Sequence, residues 1–230
     1  MKAVILAAGM GTRLGTLIPK PLTSLKDEKT ILDHQIDVLR GAVGIYNIVV
    51  IVGYKKELIM EKVPDVTFVY NNAYSQNNTG KSLLTALRTL DEDVIWTNGD
   101  VFFDRAAIDL LKDVEHSSML VNAEKCSDEE IKYTLDSSGN IVALSKENAQ
   151  GEGEAVGVNL IKKADLANFV TELETLGKQE YFEKAMENIV QRGGMVLKPV
   201  YLGDLYCREI DFPEDLEAVQ QYLKESRAEI

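Results

Sequence analysis

Cysteine is scarce in this sequence: Cys126 and Cys207 stand far apart, without the paired spacing of a zinc site, and read as ordinary thiols of a reducing compartment. Histidine is as scarce. His34 falls between apolar positions of an expected helix and His116 in a polar turn, so neither is expected to be catalytic. Basic residues are outnumbered, 25 Lys and Arg against 37 Asp and Glu, for a net charge of −12. That balance argues against a nucleic-acid surface and against anionic membrane, and leaves small anionic substrates only where local cations or a metal receive them. No apolar run approaches a membrane span. The run behind Lys2 is too short for a secretory signal and breaks at Gly9, so the cytoplasm is the expected compartment. Internal repeats, low-complexity tracts and linkers are missing too, and 230 residues at 45% hydrophobic content suit a single domain spanning 1–230.

What the sequence does have is concentrated in its first twenty-two residues. Ala3, Val4, Ile5 and Leu6 form a nearly all-apolar run, as expected of a strand buried on both faces of a parallel sheet. Ala7, Ala8, Gly9 and Gly11 follow with almost no side-chain bulk, so a base or a phosphate can approach the backbone N–H groups after Leu6. Arg13 then offers a planar fork for phosphate oxygens and Lys20 a mobile point charge. Small backbone plus two cations outlines a nucleoside triphosphate site, Thr12 included. A dinucleotide fingerprint would need a small residue where Leu14 stands and a helix opening at once, and Gly15-Thr16-Leu17-Ile18-Pro19 starts a helix poorly. Gly80-Lys81-Ser82 is no P-loop, because its first glycine would fall at Ser75.

Further on, a helix is expected from Thr30 to about Gly41, with Thr30 and Asp33 as a capping pair and Ile31, Leu32, Ile36 and Leu39 on one face. Strands are expected at Asn47–Gly53, Val66–Tyr70 and Val94–Thr97, alternating with helices. Such alternation predicts right-handed βαβ units and a mostly parallel sheet, with the ligand outside the strands' carboxyl ends. The polar stretch Asn71–Ser82 empties into a helix that Asn78 or Thr79 can cap. Asn98-Gly99-Asp100 sets a carboxylate at the end of a central strand, where it would repel a triphosphate unless a divalent cation lay between them; Mg²⁺ is the economical choice. In Glu209-Ile210-Asp211-Phe212-Pro213-Glu214, Asp211 by itself reads as the cap of the last helix. Residues 119–161 change pattern, to a hairpin around Ser-Gly-Asn and a returning core strand at Ala155–Ile161. Helices from about Lys163 to Leu176 and Glu180 to Arg192 and a strand at Met195–Tyr201 complete the expected core.

LAAGMGTRL followed by PKPL resembles the signature of the nucleotidyltransferase (pyrophosphorylase) superfamily, and more closely its phosphocholine and phospho-alcohol cytidylyltransferase-like branch. The resemblance implies an α/β fold with a Rossmann-like, mostly parallel central sheet flanked by helices and a small antiparallel β insertion on the acceptor side. It implies a nucleotide-binding half at 1–115 and an acceptor-binding half at 116–230, with base reading by Asn78, Gly80 and Ser82. Asp100 and Asp211 become the Mg²⁺ ligands, and the hairpin brings Lys146, Lys132 and Glu154 to the acceptor. The implied reaction is Mg²⁺-dependent transfer of a nucleoside monophosphate, CMP from CTP, to a small phosphorylated alcohol such as phosphocholine, aminoethylphosphonate or inositol phosphate. Arg13 would hold the leaving pyrophosphate, and Lys20 the charge building at the α-phosphate. Choline itself fits less well than an acceptor with hydroxyls or an amine, because Trp96 lies in a strand and the expected acceptor segment offers only Tyr133 as an aromatic wall. Uridylyl or thymidylyl transfer to a sugar 1-phosphate and a non-catalytic nucleotide-binding relative stay open as alternatives. The oligomeric state also stays open, a homodimer included.

Overall fold

The structure, a computed structural model, describes residues 1–11, 14, 17–26, 28–123, 130–146 and 151–226. Among these a nine-stranded sheet runs through both halves of the chain. Its first strand, β1 (Lys2–Ala7), lies inside the sheet. A ribbon of β2 (Ser24–Lys26) and β3 (Lys29–Thr30) precedes α1 (Ile31–Val43) and β4 (Ile48–Val52). Next come α2 (Lys56–Lys62), β5 (Thr67–Tyr70), α3 (Thr79–Leu87) and β6 (Val94–Asn98). β4 and β6 lie parallel to β1 on either side, and β5 lies parallel to β4. All five residues of β4 are buried, which is why that strand reads as an unbroken apolar run. α1 starts where Thr30 and Asp33 exchange backbone hydrogen bonds, Thr30 N–H donating to Asp33 Oδ2 at 2.9 Å and Asp33 N–H to Thr30 Oγ1 at 3.1 Å.

The second half begins with the short β7 (Val101–Phe103) and α4 (Arg105–Asp109), then β8 (Ser117–Asn122). The hairpin of β9 (Lys132–Leu135) and β10 (Ile141–Ser145) turns where the Asp136 carboxylate accepts from the Ser138 and Asn140 N–H groups and Gly139 takes φ +72°. β11 (Gly153–Ile161) runs antiparallel to β6, β8 and β9, so it is the strand that joins the halves. It bends at Gly157, with φ +73° and a register shift between Ala155 and Asn159; a Cβ there would lie 2.9 Å from Asn98 Nδ2. α5 (Lys163–Thr175), α6 (Phe182–Gln191), β12 (Leu197–Tyr201), β13 (Cys207–Glu209) and α7 (Pro213–Glu225) complete the chain, with β12 parallel to β8 and β13 paired to β7. No helix among the described residues is long and apolar enough to cross a membrane.

One face of the sheet is closed by α3, α5 and α6 and the other by α1 and α4. Trp96 of β6 is fully buried, its indole stacked on Phe169 of α5 at 5.6 Å and met edge-on by Phe182 of α6 at 5.4 Å. This side chain therefore seats two helices at once. Trp96→Ala is expected to lower stability by about 3–5 kcal/mol, read as a shifted midpoint in urea denaturation at unchanged m-value. A loss below about 1 kcal/mol would mean that the two helices are held by something else.

Candidate active site

The end of β1 and the loop after it are shaped by close approach. Gly11 has φ +58°, and a Cβ on it would lie 2.6 Å from the Cβ of Lys20, so the loop folds directly against that lysine. Lys20 opens a single 3₁₀ turn, Lys20–Leu22, between Pro19 and Pro21, which fix its backbone. Its side chain is buried, and its Nζ donates to Asp100 Oδ2 at 2.8 Å and Asp211 Oδ1 at 2.5 Å. Burial alone would lower the Lys20 pKa; the charge of Asp100 and the hydrogen bonds to both carboxylates outweigh it and hold the ammonium above the ordinary lysine value.

Backbone pairing brings the two aspartates together. β7 and β13 are antiparallel with Val101 opposite Glu209, and Ile210 N–H donates to the Asp100 carbonyl at 2.9 Å. The Gly99–Asp100 turn is also tied to β1, because Gly99 N–H donates to the Leu6 carbonyl at 3.0 Å and a Cβ on Gly99 would stand 2.5 Å from that oxygen. Asp211 does not cap α7. Phe212 is the N-cap, and the Asp215 carboxylate reaches back to accept from the N–H groups of Asp211, at 3.1 Å, and Phe212, at 2.9 Å. The Asp211 carboxylate thus points to Lys20 rather than to the helix end.

Glu209 joins this pair. Asp100, Glu209 and Asp211 each offer an oxygen, all within 4.8 Å of one another. Glu209 is open to solvent in the cavity yet walled by protein, and loss of hydration together with Asp100 and Asp211 pushes its pKa up to about 8. A divalent cation fits these residues on two counts. Asp100 Oδ1 is buried without a hydrogen-bond partner, and the Lys20 ammonium already bridges two of the carboxylates as a cation would. Three hard oxygen donors suit Mg²⁺ or a similar ion.

A cavity of 1310 Å³ extends from this cluster. Leu6, Ala7, Ala8, Gly9, Gly11 and Lys20 line one end, with Asn78, Ser82 and Asp100 beside them. Asn78 caps α3, its Oδ1 accepting from Thr79 N–H at 2.8 Å, while Ser82 Oγ accepts from Asn71 Nδ2 at 2.9 Å. Gly80 lies outside the wall: its N–H donates to the Glu180 carbonyl, and a Cβ there would meet that oxygen at 2.9 Å and Leu176 at 3.1 Å. The expected base-reading edge therefore lacks Gly80, because α3 uses that position to pack on the α5–α6 connection. Thr12 and Arg13 lie outside the described residues.

The other end of the cavity is lined by Lys146, Glu154, Glu130, Tyr181 and Glu183. The Lys146 Nζ sits 5.3 Å from the centre of the Tyr181 ring. Lys132 is not part of the lining; it pairs in register with Glu154 across β9 and β11. Glu154 hydrogen-bonds Glu130 and Asn122, and burial followed by the Glu130 contact pushes its pKa up to about 8. Glu183, one residue into α6, is 6% exposed, its Oε2 has no partner, and burial pushes its pKa up to about 7. Glu183, Glu209 and Tyr181 escaped the sequence reading, because each sits at an element boundary where a charged residue or a tyrosine usually only faces solvent. The aromatic wall also differs from expectation. Tyr133 is 1% exposed in the core, and the rings on the cavity come instead from Tyr74, Tyr181, Tyr206, Phe212 and Tyr222. His34 takes a structural place, stacked on Phe102 at 4.4 Å with Nε2 2.8 Å from the Phe103 carbonyl.

A mixed sheet whose parallel strands end at a glycine-rich turn, with a buried lysine and a carboxylate cluster there, is the make-up of a nucleotidyltransferase. Residues 3–155 match the family model of the MobA-like NTP transferase domain, and the chain belongs to that family. It is 28% identical over 239 residues to the CMP-5'-(3-aminopropyl)phosphonate synthase of Streptomyces rubellomurinus, a match covering 94% of this chain and 37% of that longer protein. It is 29% identical to the UTP--glucose-1-phosphate uridylyltransferase AglF of Haloferax volcanii, over 98% of this chain and 97% of the relative. In fold it is similar to the inositol-1-phosphate CTP transferase from T. maritima, with a TM-score of 0.78 at 21% identity, covering 97% of this chain and 96% of the other.

The raised pKa of Glu154 has a stability consequence. A carboxyl that binds its proton more tightly folded than unfolded stabilises the fold below the unfolded value, near 4.5, and that contribution is lost as pH rises through about 8. Glu154→Gln, neutral throughout, is therefore expected to match the wild type in Tm near pH 5 and to exceed it increasingly from pH 6 to 8.5. Parallel Tm profiles would contradict the shift.

Proposed function

We propose that the chain transfers CMP from CTP to a small phosphorylated or phosphonate acceptor that carries an amine, releasing pyrophosphate. The observation behind this reading is that one cavity joins two ends that each set a lysine among carboxylates: Lys20 with Asp100, Glu209 and Asp211 at one, and Lys146 with Glu130, Glu154 and Glu183 at the other. In this reading residues 1–115 hold the nucleotide and 116–230 the acceptor. A phosphate or phosphonate oxygen of the acceptor attacks the α-phosphorus, the new P–O bond forms, the bond to the β-phosphate oxygen breaks, and pyrophosphate leaves in line. No protein nucleophile is required. Lys20 donates to the α-phosphate oxygens as charge builds there, and Arg13 holds the departing pyrophosphate. Lys146 orients the acceptor phosphate, while Glu183 and the Glu130–Glu154 pair receive the acceptor's ammonium. Asp100 and Asp211, with Glu209 beside them, would hold Mg²⁺, which supplies charge neutralisation along the triphosphate when bound.

CTP and an amine are favoured by the aminopropylphosphonate relative, whose named product contains both CMP and an amine. A uridylyltransferase that the chain matches over 97% of its length favours a second reading, transfer of UMP to a sugar 1-phosphate. The two separate in an assay of pyrophosphate release with Mg²⁺, crossing CTP, UTP, dTTP, ATP and GTP with aminoethylphosphonate, phosphocholine, inositol phosphate, glycerol phosphate and hexose 1-phosphates. The proposal expects turnover with CTP and an amine-bearing acceptor. Turnover confined to UTP or dTTP with a hexose 1-phosphate overturns it in favour of the second reading, and silence throughout would favour a nucleotide-binding protein without catalysis. With the substrate found, Lys20→Ala is expected to lower the single-turnover rate by about 10²–10³. A rate within tenfold of wild type would remove Lys20 from the mechanism.

A further inference from the structure

We infer that Gln35, a buried glutamine of α1, is a positioning residue that fixes the Asp100 carboxylate. The inference rests on Asp100 being a cation ligand, as the proposed reaction has it. Gln35 is fully buried, and its Nε2 donates to two main-chain carbonyls, Asn98 at 2.8 Å and Val101 at 2.7 Å. Asn98 is the last residue of β6 and Val101 the first of β7, so a single amide group spans the Gly99–Asp100 turn from behind. The two hydrogens of a side-chain amide diverge at a fixed angle, and using both sets the distance between the carbonyls. The other restraints each hold one part of the turn: β1 pairs with Asn98 and β13 with Val101, Gly99 N–H donates to the Leu6 carbonyl, Ile210 N–H donates to the Asp100 carbonyl, and Lys20 Nζ donates to Asp100 Oδ2. Gln35 is the contact that braces both ends of the turn together.

The choice of residue supports this role. Gln35 stands beside the buried Leu32, Ile36 and Leu39 of α1, and its Oε1 has no hydrogen-bond partner. Burying half of an amide unsatisfied is unfavourable, and an aliphatic side chain of similar volume would fill the position at lower cost. What the amide adds is the pair of N–H groups. The frame behind it is firm, since α1 is capped by Thr30 and Asp33 and packed on β1. A small divalent ion tolerates little displacement of its oxygen ligands, so a turn released by a few tenths of an ångström weakens the site without unfolding the chain.

The test is Mn²⁺ binding followed by electron paramagnetic resonance on the otherwise intact chain. Gln35→Met keeps the volume and removes both donors; it is expected to weaken Mn²⁺ binding about tenfold or more and to speed amide hydrogen exchange at Gly99–Val101 without metal. At saturating Mg²⁺ the CTP KM should stay near wild type, while the Mg²⁺ half-saturation rises. Ile36→Ala, a neighbour on α1 away from the turn, serves as the control for lost stability alone and should bind Mn²⁺ as wild type does. Wild-type binding and exchange in Gln35→Met, with binding lost in Asp100→Asn, would overturn the inference while leaving the ligand assignment intact. Wild-type binding in Asp100→Asn would overturn the assignment and the inference with it. Equal weakening in Ile36→Ala would reduce Gln35 to a packing residue.

Discussion

The ion triad of Lys20 with Asp100 and Asp211 is the interaction on which the rest of the site depends. Its members come from three distant parts of the chain, and each is delivered by a different device: a turn between prolines for Lys20, a β6–β7 turn for Asp100, and a short antiparallel pairing for Asp211. A lysine so buried stays charged only because the carboxylates answer it, and the carboxylates tolerate each other only because a cation lies between them. Two nearby negative charges with one positive charge leave the cluster short of neutrality. That deficit is what a divalent ion would offset, leaving Lys20 able to turn toward a phosphate.

The same constraint accounts for how the fold is distributed around it. Gly99 and Gly11 are required where backbone or side chain must pass within a Cβ's reach, at Leu6 and at Lys20. Gly157 bends β11 beside Asn98, and the bend carries Glu154 into the same cavity as the triad. One antiparallel strand therefore joins the parallel strands around β1 to the β8–β12 pair and the β9–β10 hairpin, and the cleft runs past both. The hydrophobic core, with Trp96 at the junction of β6, α5 and α6, makes that geometry rigid.

Much of this was legible in the sequence, for reasons that differ by residue. Buried parallel strands leave unbroken apolar runs, so β1, β4 and β6 could be read directly, and Thr30 with Asp33 announced the start of α1 as a capping pair does. Lys20 stands out as a cation behind a glycine turn and Asp100 as a carboxylate at a strand end, whereas Asp211, which alone reads as a helix cap, stands out only through the family resemblance. Position within a helix was harder to read. Asn78, Gly80 and Ser82 form one sequence stretch, but a helical turn separates their directions, and Gly80 is spent on packing against Leu176 and Glu180. Nor can a pattern of polar and apolar residues tell that Asp215 caps α7 and so releases Asp211, since both aspartates sit at plausible distances from the helix start.

Glu183 and Gln35 expose a more general limit. Each was invisible because it looked ordinary, a glutamate in the first turn of a helix and a glutamine among helical apolar positions. Each becomes informative once its burial is known, because an interior polar atom without a partner is unfavourable unless something else uses the group. In Gln35 the amide hydrogens are used inside the protein and the oxygen is the residue left over. In Glu183, beside the cavity wall, the oxygen left over is itself buried, so it too is enclosed by the chain. The two differ in what the group does inside the chain: Gln35 gives both amide hydrogens to main-chain carbonyls, while Glu183 faces the charge of Lys146. At a net charge of −12, a phosphorylated molecule can be admitted only where carboxylates are matched by a lysine or a cation, as Lys20 matches Asp100 and Asp211.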